Sequence, residues 1–445
     1  MNAAPSLDTA SSPVGWRSLR LKDLFRDARN GTWGDEPHED GSDVFCVRGA
    51  DFDRAALRVD PRKLPLRHVD GWVKAQHMLR RGDLVLEKSG GGEDQPVGSA
   101  VLFDLETTAV CSNFNARLRV SSGVEPRYAN FAIATLYYLG ITRRSIKQTT
   151  GIQNLDTMAF MAEPWALPPL DEQRHIADFL DAETERIDRL VAMQTRTLDL
   201  LRERRQAGVH AEVTGGWYQD RCESGLAWVE TLPSHWQIGK LGLLARMGSG
   251  HTPSRSHPDW WVDCTIPWIT TGEVSQVRDD RREVIFETRE RISEVGLANS
   301  AAELHPKGTV VLCRTASAGY SGVMGHDMAT SQDFVTWTCG LQLDPNYLLW
   351  CMRAMRPDLL GRLAMGSTHK TIYVPDLQML RVPLPELGEQ RQIVARIREM
   401  NARIDGLADA INTQLALLAE RRQALITAAV TGQMDVTTAR SGVSL

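Results

Sequence analysis

The stretch L167-P-P-L-D-E-Q-R-H-I176 returns later in the chain as L384-P-E-L-G-E-Q-R-Q-I393. A shift of 217 residues aligns 167–215 with 384–432 without a gap, and 23 of these 49 positions are identical. Self-similarity at a fixed period is the signature of an internal repeat. The chain is therefore predicted to contain one structural unit of about 220 residues twice.

The regions ahead of each copy also correspond, more faintly and with small shifts. The matching segments are P13-V-G-W16 with P233-S-H-W236, R81-G-D-L-V-L86 with K307-G-T-V-V-L312, C111-S-N-F114 with S331-Q-D-F334, and K147-Q-T-T-G-I152 with S367-T-H-K-T-I372. Each unit thus consists of a part in which the copies differ, followed by a part in which they agree.

The part that agrees is predicted to be a long helix. Pro168 favours extended backbone in the residue before it and is tolerated at a helix start. Asp171 and Glu172 then suit the positive end of the helix dipole, and no proline or glycine interrupts residues 171–207. About forty helical residues make a rod of roughly 60 Å.

In both copies apolar residues recur among positions that are spaced by alternating steps of four and three residues. The positions in the second copy are I393, I397, M400, I404, L407, I411, Q414, L418, R421 and L425, and those in the first are I176, L180, E183, I187, L190, Q194, T197, L201, R204 and G208. A period of 3.5 residues indicates a coiled-coil seam, so the two helices are expected to pack on each other. Two unrelated surface helices, each packed on its own domain, are the alternative.

Composition indicates an ordinary globular protein with more than one domain. Its 445 residues exceed what one core usually holds, and 42% are hydrophobic and 24% charged. No stretch approaches the roughly 18 apolar residues of a membrane span, and the N-terminus does not resemble a secretory signal. A cytoplasmic location without membrane association is expected. The seven cysteines, scattered without a C-x-x-C pair, predict free thiols rather than disulfides or zinc.

The predicted fold class is α+β, with two mixed α/β domains, each followed by a long coiled-coil helix, in an internal repeat. Short β-type runs such as D83-L-V-L86 and T309-V-V-L312 are separated by Gly, Asp and Ser turns. The predicted order along the chain is a disordered lead-in (1–12), a first domain (13–166), a central long helix (167–216), a linker and second domain (217–383), a distal long helix (384–432) and a C-terminal tail (433–445).

Signatures of catalysis are missing from the sequence. It contains no Asn-Pro dipeptide for an N-P-P-Y methyltransferase site, no G-x-x-x-x-G-K phosphate loop and no G-x-S-x-G elbow. None of the eight lysines follows an acidic residue at two positions, as a D/E-x-K nuclease motif requires. The carboxylates of Asp51 and Asp53, without a third ligand, indicate loop solvation rather than a metal site. No catalytic residue and no metal ligand is predicted.

The duplicated arrangement resembles a known family. Two differing domains, each followed by a long helix with a P-L-x-E-Q-like opening, and the segments S331-Q-D-F334 and G366-S-T-H-K-T-I372 resemble the specificity subunit of type I restriction-modification systems. The resemblance spans nearly the whole chain, and the repeated helix is its specific part. It implies a non-catalytic subunit whose two target-recognition domains each read a few base pairs of a split site in double-stranded DNA.

The resemblance also implies partners. Two methyltransferase subunits would dock on the chain, and restriction subunits can join them to make a nuclease complex. S-adenosylmethionine and the base-flipping pocket would belong to the methyltransferase, so no cofactor is expected in this chain. The two coiled-coil helices would lie antiparallel, in a pseudo-twofold arrangement, as a spacer between the two target-recognition domains. Because half-sites one turn apart lie about 34–36 Å apart on B-DNA, helix length is expected to act as a ruler.

Polar residues in or beside predicted loops are the candidate DNA contacts, because arginine and lysine suit guanine edges while threonine and histidine suit phosphate or base. The candidates are Arg48, Lys88, Arg143, Arg144, Lys147, Thr149 and Thr150 in the first domain and Arg314, Tyr320, Thr368, His369 and Lys370 in the second. A solvated surface side chain is the alternative for each. At the helix starts, residues that either cap the helix or contact a methyltransferase are Glu172, Gln173, Arg174, Glu389, Gln390 and Arg391.

Charge does not by itself favour DNA binding. Residues 1–166 hold 21 basic and 21 acidic side chains, and residues 217–383 hold 16 and 18, whereas an isolated DNA-binding domain is usually strongly basic. Weak DNA affinity is therefore expected for the chain without partners. Two other classes stay open: a coiled-coil adaptor that binds proteins, and a self-contained methyltransferase or nuclease, which would need the missing motifs.

Overall fold

The computed structural model describes three stretches of the chain, residues 13–149, 151–364 and 370–436. The lead-in, the candidates Thr150, Thr368 and His369, and the tail beyond residue 436 lie outside them. For Thr149 only the backbone is described.

The described chain divides into two compact units. The first joins the residues up to Gln194 to those from Thr413, and the second holds Thr195–Asn412. Each unit contains one mixed domain of strands and short helices together with a part of each of two long helices. The predicted α+β class, with two mixed domains and two long helices, is confirmed.

The strands of the first unit are Arg17–Arg20, Phe25–Asn30, Val44–Val47, Phe52–Asp53, Arg58–Val59, Leu66–Arg67, Leu84–Glu87, Ser89–Gly90, Ala100–Leu102, Ala109–Cys111, Asn115–Val120, Ile146–Thr149, Ile152–Leu155 and Pro164–Leu167. Its short helices are Leu21–Leu24, Gly49–Asp51, Pro61–Lys63, Gly71–His77, Pro126–Tyr138, Ile141–Ser145 and Thr157–Met161.

The strands of the second unit are Arg221–Leu226, Val229–Pro233, Gln237–Lys240, Ala245–Ser249, Ile266–Ile269, Val284–Ile285, Glu290–Ile292, Val310–Cys313, Ser321–Met324, Ala329–Thr330, Phe334–Cys339 and Arg381–Leu384. Its short helices are Leu241–Leu244, Pro258–Trp261, Thr271–Gln276, Glu294–Ala298, Pro345–Ala354, Arg356–Asp358, Leu359–Leu363 and Val374–Gln378.

Both domains share one strand order. The largest sheet of each domain, here called the core sheet, runs 25–30, 115–120, 84–87, 100–102, 58–59 and 52–53 in the first and 245–249, 334–339, 310–313, 321–324 and 284–285 in the second. A three-stranded side sheet is centred on 44–47 in the first and on 266–269 in the second. The duplication detected in the helices therefore extends through both domains.

The two long helices reach into the domain cores. The central helix spans Leu170–Val213 and the distal helix Leu387–Val430, 44 residues each, or about 66 Å. Ile426 and Val430 at the end of the distal helix are buried in the core of the first domain. Val213 at the end of the central helix is buried in the core of the second.

Within each unit the two helices run antiparallel. In the first unit Asp188 forms an ion pair with Arg422, and the amide of Gln194 donates to that of Gln414 at 3.0 Å. In the second unit Arg205 pairs with Asp405. The shift of 217 residues turns Asp188 into Asp405 and Arg205 into Arg422, so the same ion pair occurs once in each unit.

The predicted apolar seam is only partly formed. Ile187 and Ile404 are buried, but Leu190 and Leu407 at the next heptad positions are 44% and 57% exposed. The prediction that these two leucines lie in a continuous seam is wrong. Ion pairs and an amide contact connect the helices there instead, and the apolar burial is concentrated where the helix ends meet the domains.

A buried tyrosine joins each domain to the end of a long helix. The hydroxyl of Tyr128 donates to the carbonyl of Val430 at 3.3 Å, and that of Tyr347 to the carbonyl of Val213 at 3.4 Å. Burial raises the pKa of both phenols, so each stays protonated and available as a donor. These contacts satisfy a carbonyl at the helix terminus, where no intrahelical partner exists.

The glutamine of the repeated E-Q-R motif joins each domain to the start of its own helix. Gln173 is 0% exposed. Its amide nitrogen donates to the carbonyls of Pro168 at 2.9 Å and Gly123 at 3.2 Å, and its oxygen accepts from the backbone nitrogen of Glu125 at 2.9 Å. These contacts account for the repeated glutamine without a partner protein.

The second copy makes the same three contacts, which yields a testable expectation. Gln390 donates to Pro385 and Gln342 at 2.9 Å and accepts from Asp344 at 2.8 Å. Gln390→Ala is expected to lower the free energy of unfolding by about 1–3 kcal/mol, because buried backbone groups lose their partners. Urea denaturation measures this, with the exposed Gln392→Ala as the matched control; equal effects of the two changes would contradict the assignment.

Candidate nucleic-acid interface

The loops at one edge of the first domain converge on residues 112–114. The backbone nitrogen of Ser112 donates to the carbonyl of Val47, and that of Lys88 donates to the carbonyl of Phe114, both at 2.9 Å. Thr32 approaches from a third loop through the carbonyl of Cys111 at 2.8 Å. These loops follow strands of the core and side sheets. We call the surface that they form around Thr32, Val47, Lys88 and residues 112–114 the loop edge of the first domain.

The second domain builds the same loop edge around residues 331–333. Ser331 donates to the carbonyl of Ile269 at 2.9 Å, and Arg314 donates to the carbonyl of Asp333 at 2.8 Å. His251 approaches through the carbonyl of Thr330 at 3.0 Å. The loops that form this surface thus follow equivalent strands in the two domains. This is expected if both copies of the surface have the same role.

The matching hydrogen bonds correct the sequence alignment by one residue. Ser112 and Ser331 occupy equivalent positions, so the pairing of Cys111 with Ser331 is wrong. In the same way Lys88 is the counterpart of Arg314, because each donates from the residue after the central core strand to the converging loop. The backbone contacts establish this register, because apart from the shared serine the side chains of the two loops differ.

Among the candidates in the first domain, Arg48 and Lys88 lie in the loop edge. The guanidinium of Arg48 is held by Asp51 through contacts of 2.9 and 2.8 Å, and this hydrogen bonding raises the pKa of Arg48. Asp51, the last residue of the short helix Gly49–Asp51, is thereby occupied. Lys88 is half-buried at the end of its strand.

The other candidates of the first domain lie on the chain leading to residues 146–155. Lys147 forms an ion pair with Asp156 at 2.7 Å, and hydrogen bonding to Lys147 lowers the pKa of that carboxyl. Lys147 and Ser89 lie on one three-stranded sheet, which places this segment beside the loop edge. Arg143 and Arg144 are exposed, and among the described residues no carboxylate forms an ion pair with either.

In the second domain Arg314 and Tyr320 flank one loop of the edge. The Nε of Arg314 donates to the carbonyl of Gln332 at 3.0 Å. The guanidinium groups of Arg278 and Arg356 lie over the ring of Tyr320, at 5.1 and 4.6 Å from the ring centroid. Tyr320 thus makes two cation–π contacts.

Lys370 is exposed, and its ammonium group donates to the carbonyl of Leu360 at 3.3 Å. The backbone nitrogen of Ile372 donates to the carbonyl of Arg314 at 2.8 Å. Ile372 therefore contacts the loop edge directly, and Lys370 precedes it by two residues.

The polar residues predicted as DNA contacts do not include those at the centre of each loop edge. Asn113 and Phe114 are exposed, the latter by 47%, and Gln332 is exposed with its amide oxygen accepting from Thr252 at 2.6 Å. Amide side chains suit adenine edges and an apolar ring suits a thymine methyl group. The signal that could have found these residues was the recurrence of a short polar loop after a matched strand.

The charged residues of the repeated helix start are partly engaged within the chain. Glu172 accepts a hydrogen bond from the indole of Trp16 at 3.0 Å, and Glu389 accepts one from Trp236 at 3.1 Å. The arginines of the motif remain largely on the surface. Arg174 contacts Asp171 at 3.2 Å, and Arg391 lies 3.8 Å from Asp344.

Within residues 13–149, 151–364 and 370–436, no three His, Cys, Asp or Glu side chains are grouped so that they could hold a metal ion. None of the helices described there combines the length and the apolar character needed to cross a membrane.

The fold and its matched loop edges define a duplicated protein with two α+β domains on a pair of long helices. Residues 233–416 match the family model described as type I restriction modification DNA specificity domain. The chain is 22% identical to the EcoKI specificity subunit of Escherichia coli K12 over 87% of this chain and 81% of that one. It is 26% identical to the MjaIX specificity subunit of Methanocaldococcus jannaschii over 36% of this chain and 37% of that one.

Solved structures share this fold. A chain from a study of complex assembly and conformational transition of the type I R-M system matches with a TM-score of 0.67 at 20% identity, covering 95% of this chain and 100% of that one. The HsdS subunit from Thermoanaerobacter tengcongensis matches with a TM-score of 0.53 at 20% identity, covering 95% and 98%. The chain is therefore similar to type I specificity subunits in sequence, and it shares the fold of these solved structures.

Proposed function

We propose that this chain is the DNA sequence-specificity subunit of a type I restriction-modification complex. Each domain reads one half of a split target through its loop edge, and the chain positions methyltransferase and restriction subunits on the DNA. The observation that carries the proposal is the duplicated loop edge in a chain similar to type I specificity subunits. Two matched surfaces suit a target made of two half-sites.

The partners follow from the same duplication. Two methyltransferase subunits bind, one for each repeat, and restriction subunits join them in the nuclease complex. S-adenosylmethionine is bound by the methyltransferase, which also extrudes the target base. This chain contributes recognition and position and carries out no chemical step of its own. Its near-neutral domains leave much of the phosphate contact to the partners, since phosphate binding depends on positive charge.

The test is to sequence methylated adenines in a host with and without this chain, with the methyltransferase present in both. A bipartite methylated motif that needs the chain is the expected result. The purified chain with its methyltransferase should also bind a duplex carrying that motif. Methylation that is unaffected by the chain, or methylation by the purified chain alone, would overturn the proposal.

Arg314 is expected to read a base in the second half-site. Arg314→Ala should lower the discrimination between bases at one position of that half-site by about 1–3 kcal/mol. The reason is that the loop edge loses the guanidinium group that donates to the base. Methylome sequencing gives the preference at each position. Arg246→Ala, on the edge strand of the core sheet, serves as control; uniform weakening across all sites would instead assign Arg314 to a phosphate.

A further inference from the structure

Residues 279–283 form an uninterrupted charged segment, D-D-R-R-E, between the helix Thr271–Gln276 and the strand Val284–Ile285. We call this segment the charged bracket. It lies in the second unit and contacts the domain helix Pro345–Ala354 as well as both long helices. Its contacts on the domain side differ in kind from those on the helix side.

On the domain side the bracket is held by two arginines. Arg353 has a side chain only 2% exposed and donates to the carbonyls of Asp280 at 2.8 Å and Arg282 at 2.7 Å. Arg356 binds both carboxylate oxygens of Asp280, at 2.9 and 2.7 Å. Asp280 has a φ of 60°, a left-handed conformation that aspartate tolerates better than most residues. The backbone of the bracket is thereby fixed to the domain.

On the distal helix, the bracket forms two sets of ion pairs. Arg281 reaches Asp405 at 3.0 Å and Asp409 at 2.8 Å. Arg398 binds both oxygens of Glu283, at 2.9 and 2.7 Å. Paired contacts of this kind fix direction as well as distance, because the planar guanidinium and the carboxylate must align.

The central helix joins the same network. Arg205 donates to the backbone carbonyl of Asp279 at 3.2 Å and also forms the interhelical ion pair with Asp405. Asp405 therefore receives one arginine from the partner helix and another, Arg281, from the bracket. Single exposed ion pairs contribute little, but a network that shares residues restricts geometry more strongly.

The first unit attaches its domain differently. Arg127 there binds Asp178 at 2.8 Å and Asp181 at 2.9 Å, both on the central helix. Asp188, the repeat of Asp405, pairs with Arg422 of the distal helix. The interhelical ion pair is thus common to both units, whereas its connection to the domain through a bracket arginine is a feature of the second.

We propose that the charged bracket sets the orientation of the second domain on the helix pair, and thereby the spacing at which the second half-site can be read. The inference rests on the proposed function. Arg281, Glu283 and Arg398 act as positioning residues that need not touch DNA. Weakening the bracket leaves the half-site sequences unchanged and widens the range of accepted spacings.

The experiment sequences methylated adenines in a host that carries the methyltransferase and the variant Arg398→Glu. We compare methylation at sites with correct half-sites and a spacing altered by one base pair with methylation at sites of native spacing. This ratio is expected to rise by about one order of magnitude, an effect within the range of interaction energies between charged residues in contact. The swap Glu283→Lys with Arg398→Glu should restore the native spacing. The milder Arg398→Met should widen the spacing less.

The matched control is Arg403→Glu, on the same helix, because Arg403 pairs with Glu399 within the helix at 2.6 Å and is highly exposed. It should leave the spacing unchanged. Unchanged spacing in both Arg398 variants, or an equal loss at all sites that the swap does not repair, would overturn the role of the bracket. Failure of the proposed function is distinct, since the wild-type chain would then produce no bipartite motif.

Discussion

Replacement of Arg353 by methionine is expected to lower the free energy of unfolding by about 3–5 kcal/mol, the cost of removing one partner from a buried charged network. Its guanidinium donates to three backbone carbonyls, those of Asp280, Arg282 and Ser321, at 2.8, 2.7 and 3.3 Å. Desolvation lowers the pKa of Arg353 to about 10, yet the group stays cationic near neutral pH. Methionine would fill the space and leave those carbonyls without a donor.

Hydrogen exchange of the helix Pro345–Ala354 measures this change locally, since a protein of two units need not unfold in one step. The control is Arg362→Met, which breaks an ion pair with Asp358 at 2.8 Å between residues four apart on the surface. That change should cost no more than about 0.5 kcal/mol. A similar small cost for Arg353→Met would show that the buried arginine is dispensable.

Lengthening both long helices by seven residues is expected to lengthen the unread spacer of the DNA target. The insertions belong after Gln194 and before Gln414, which face each other in the first unit. Seven residues preserve the heptad phase and add about 10 Å of helix, which corresponds to about three base pairs. Methylome sequencing reads the new spacing directly.

Methylation should also become slower in this variant. Three base pairs turn the second half-site by about 100° around the DNA axis, given about 10.5 base pairs per turn, while the lengthened helices keep their phase. The same insertion in the central helix alone removes the matched register of Arg205 with Asp405 and should abolish methylation. If the variant with both helices lengthened kept the same spacer, the hypothesis that helix length sets the spacing of the half-sites would be wrong.

Much of the fold could be predicted because the repeat is local in sequence. The gap-free identity of the two helical segments, with its proline before the helix start, predicted both long helices to within a few residues. The runs D83-L-V-L86 and T309-V-V-L312 lie in the central strands Leu84–Glu87 and Val310–Cys313. Backbone preference and apolar pattern act over a few residues, so they can be read from the chain itself.

The site was less predictable, because the charge of a side chain does not reveal whether it already has a partner within the protein. Arg48 and Lys147 look like free cations in the sequence, but each has a carboxylate partner, Asp51 and Asp156. Gln173 looks like a surface residue of a helix start and is buried. The exposed centre of the loop edge includes Phe114, whose apolar ring lay outside a choice of polar loop residues.

The sequence by itself determined that one unit occurs twice, that each copy ends in a long helix, and that the chain resembles a type I specificity subunit. These properties depend on local patterns and on identity between the copies. Only the tertiary structure decided that Leu190 and Leu407 leave the seam, and that Asp405 holds arginines from both a helix and a domain. The physical reason is that burial and ion pairing depend on which distant residues meet, as Arg281 meets Asp409 across 128 positions of the chain.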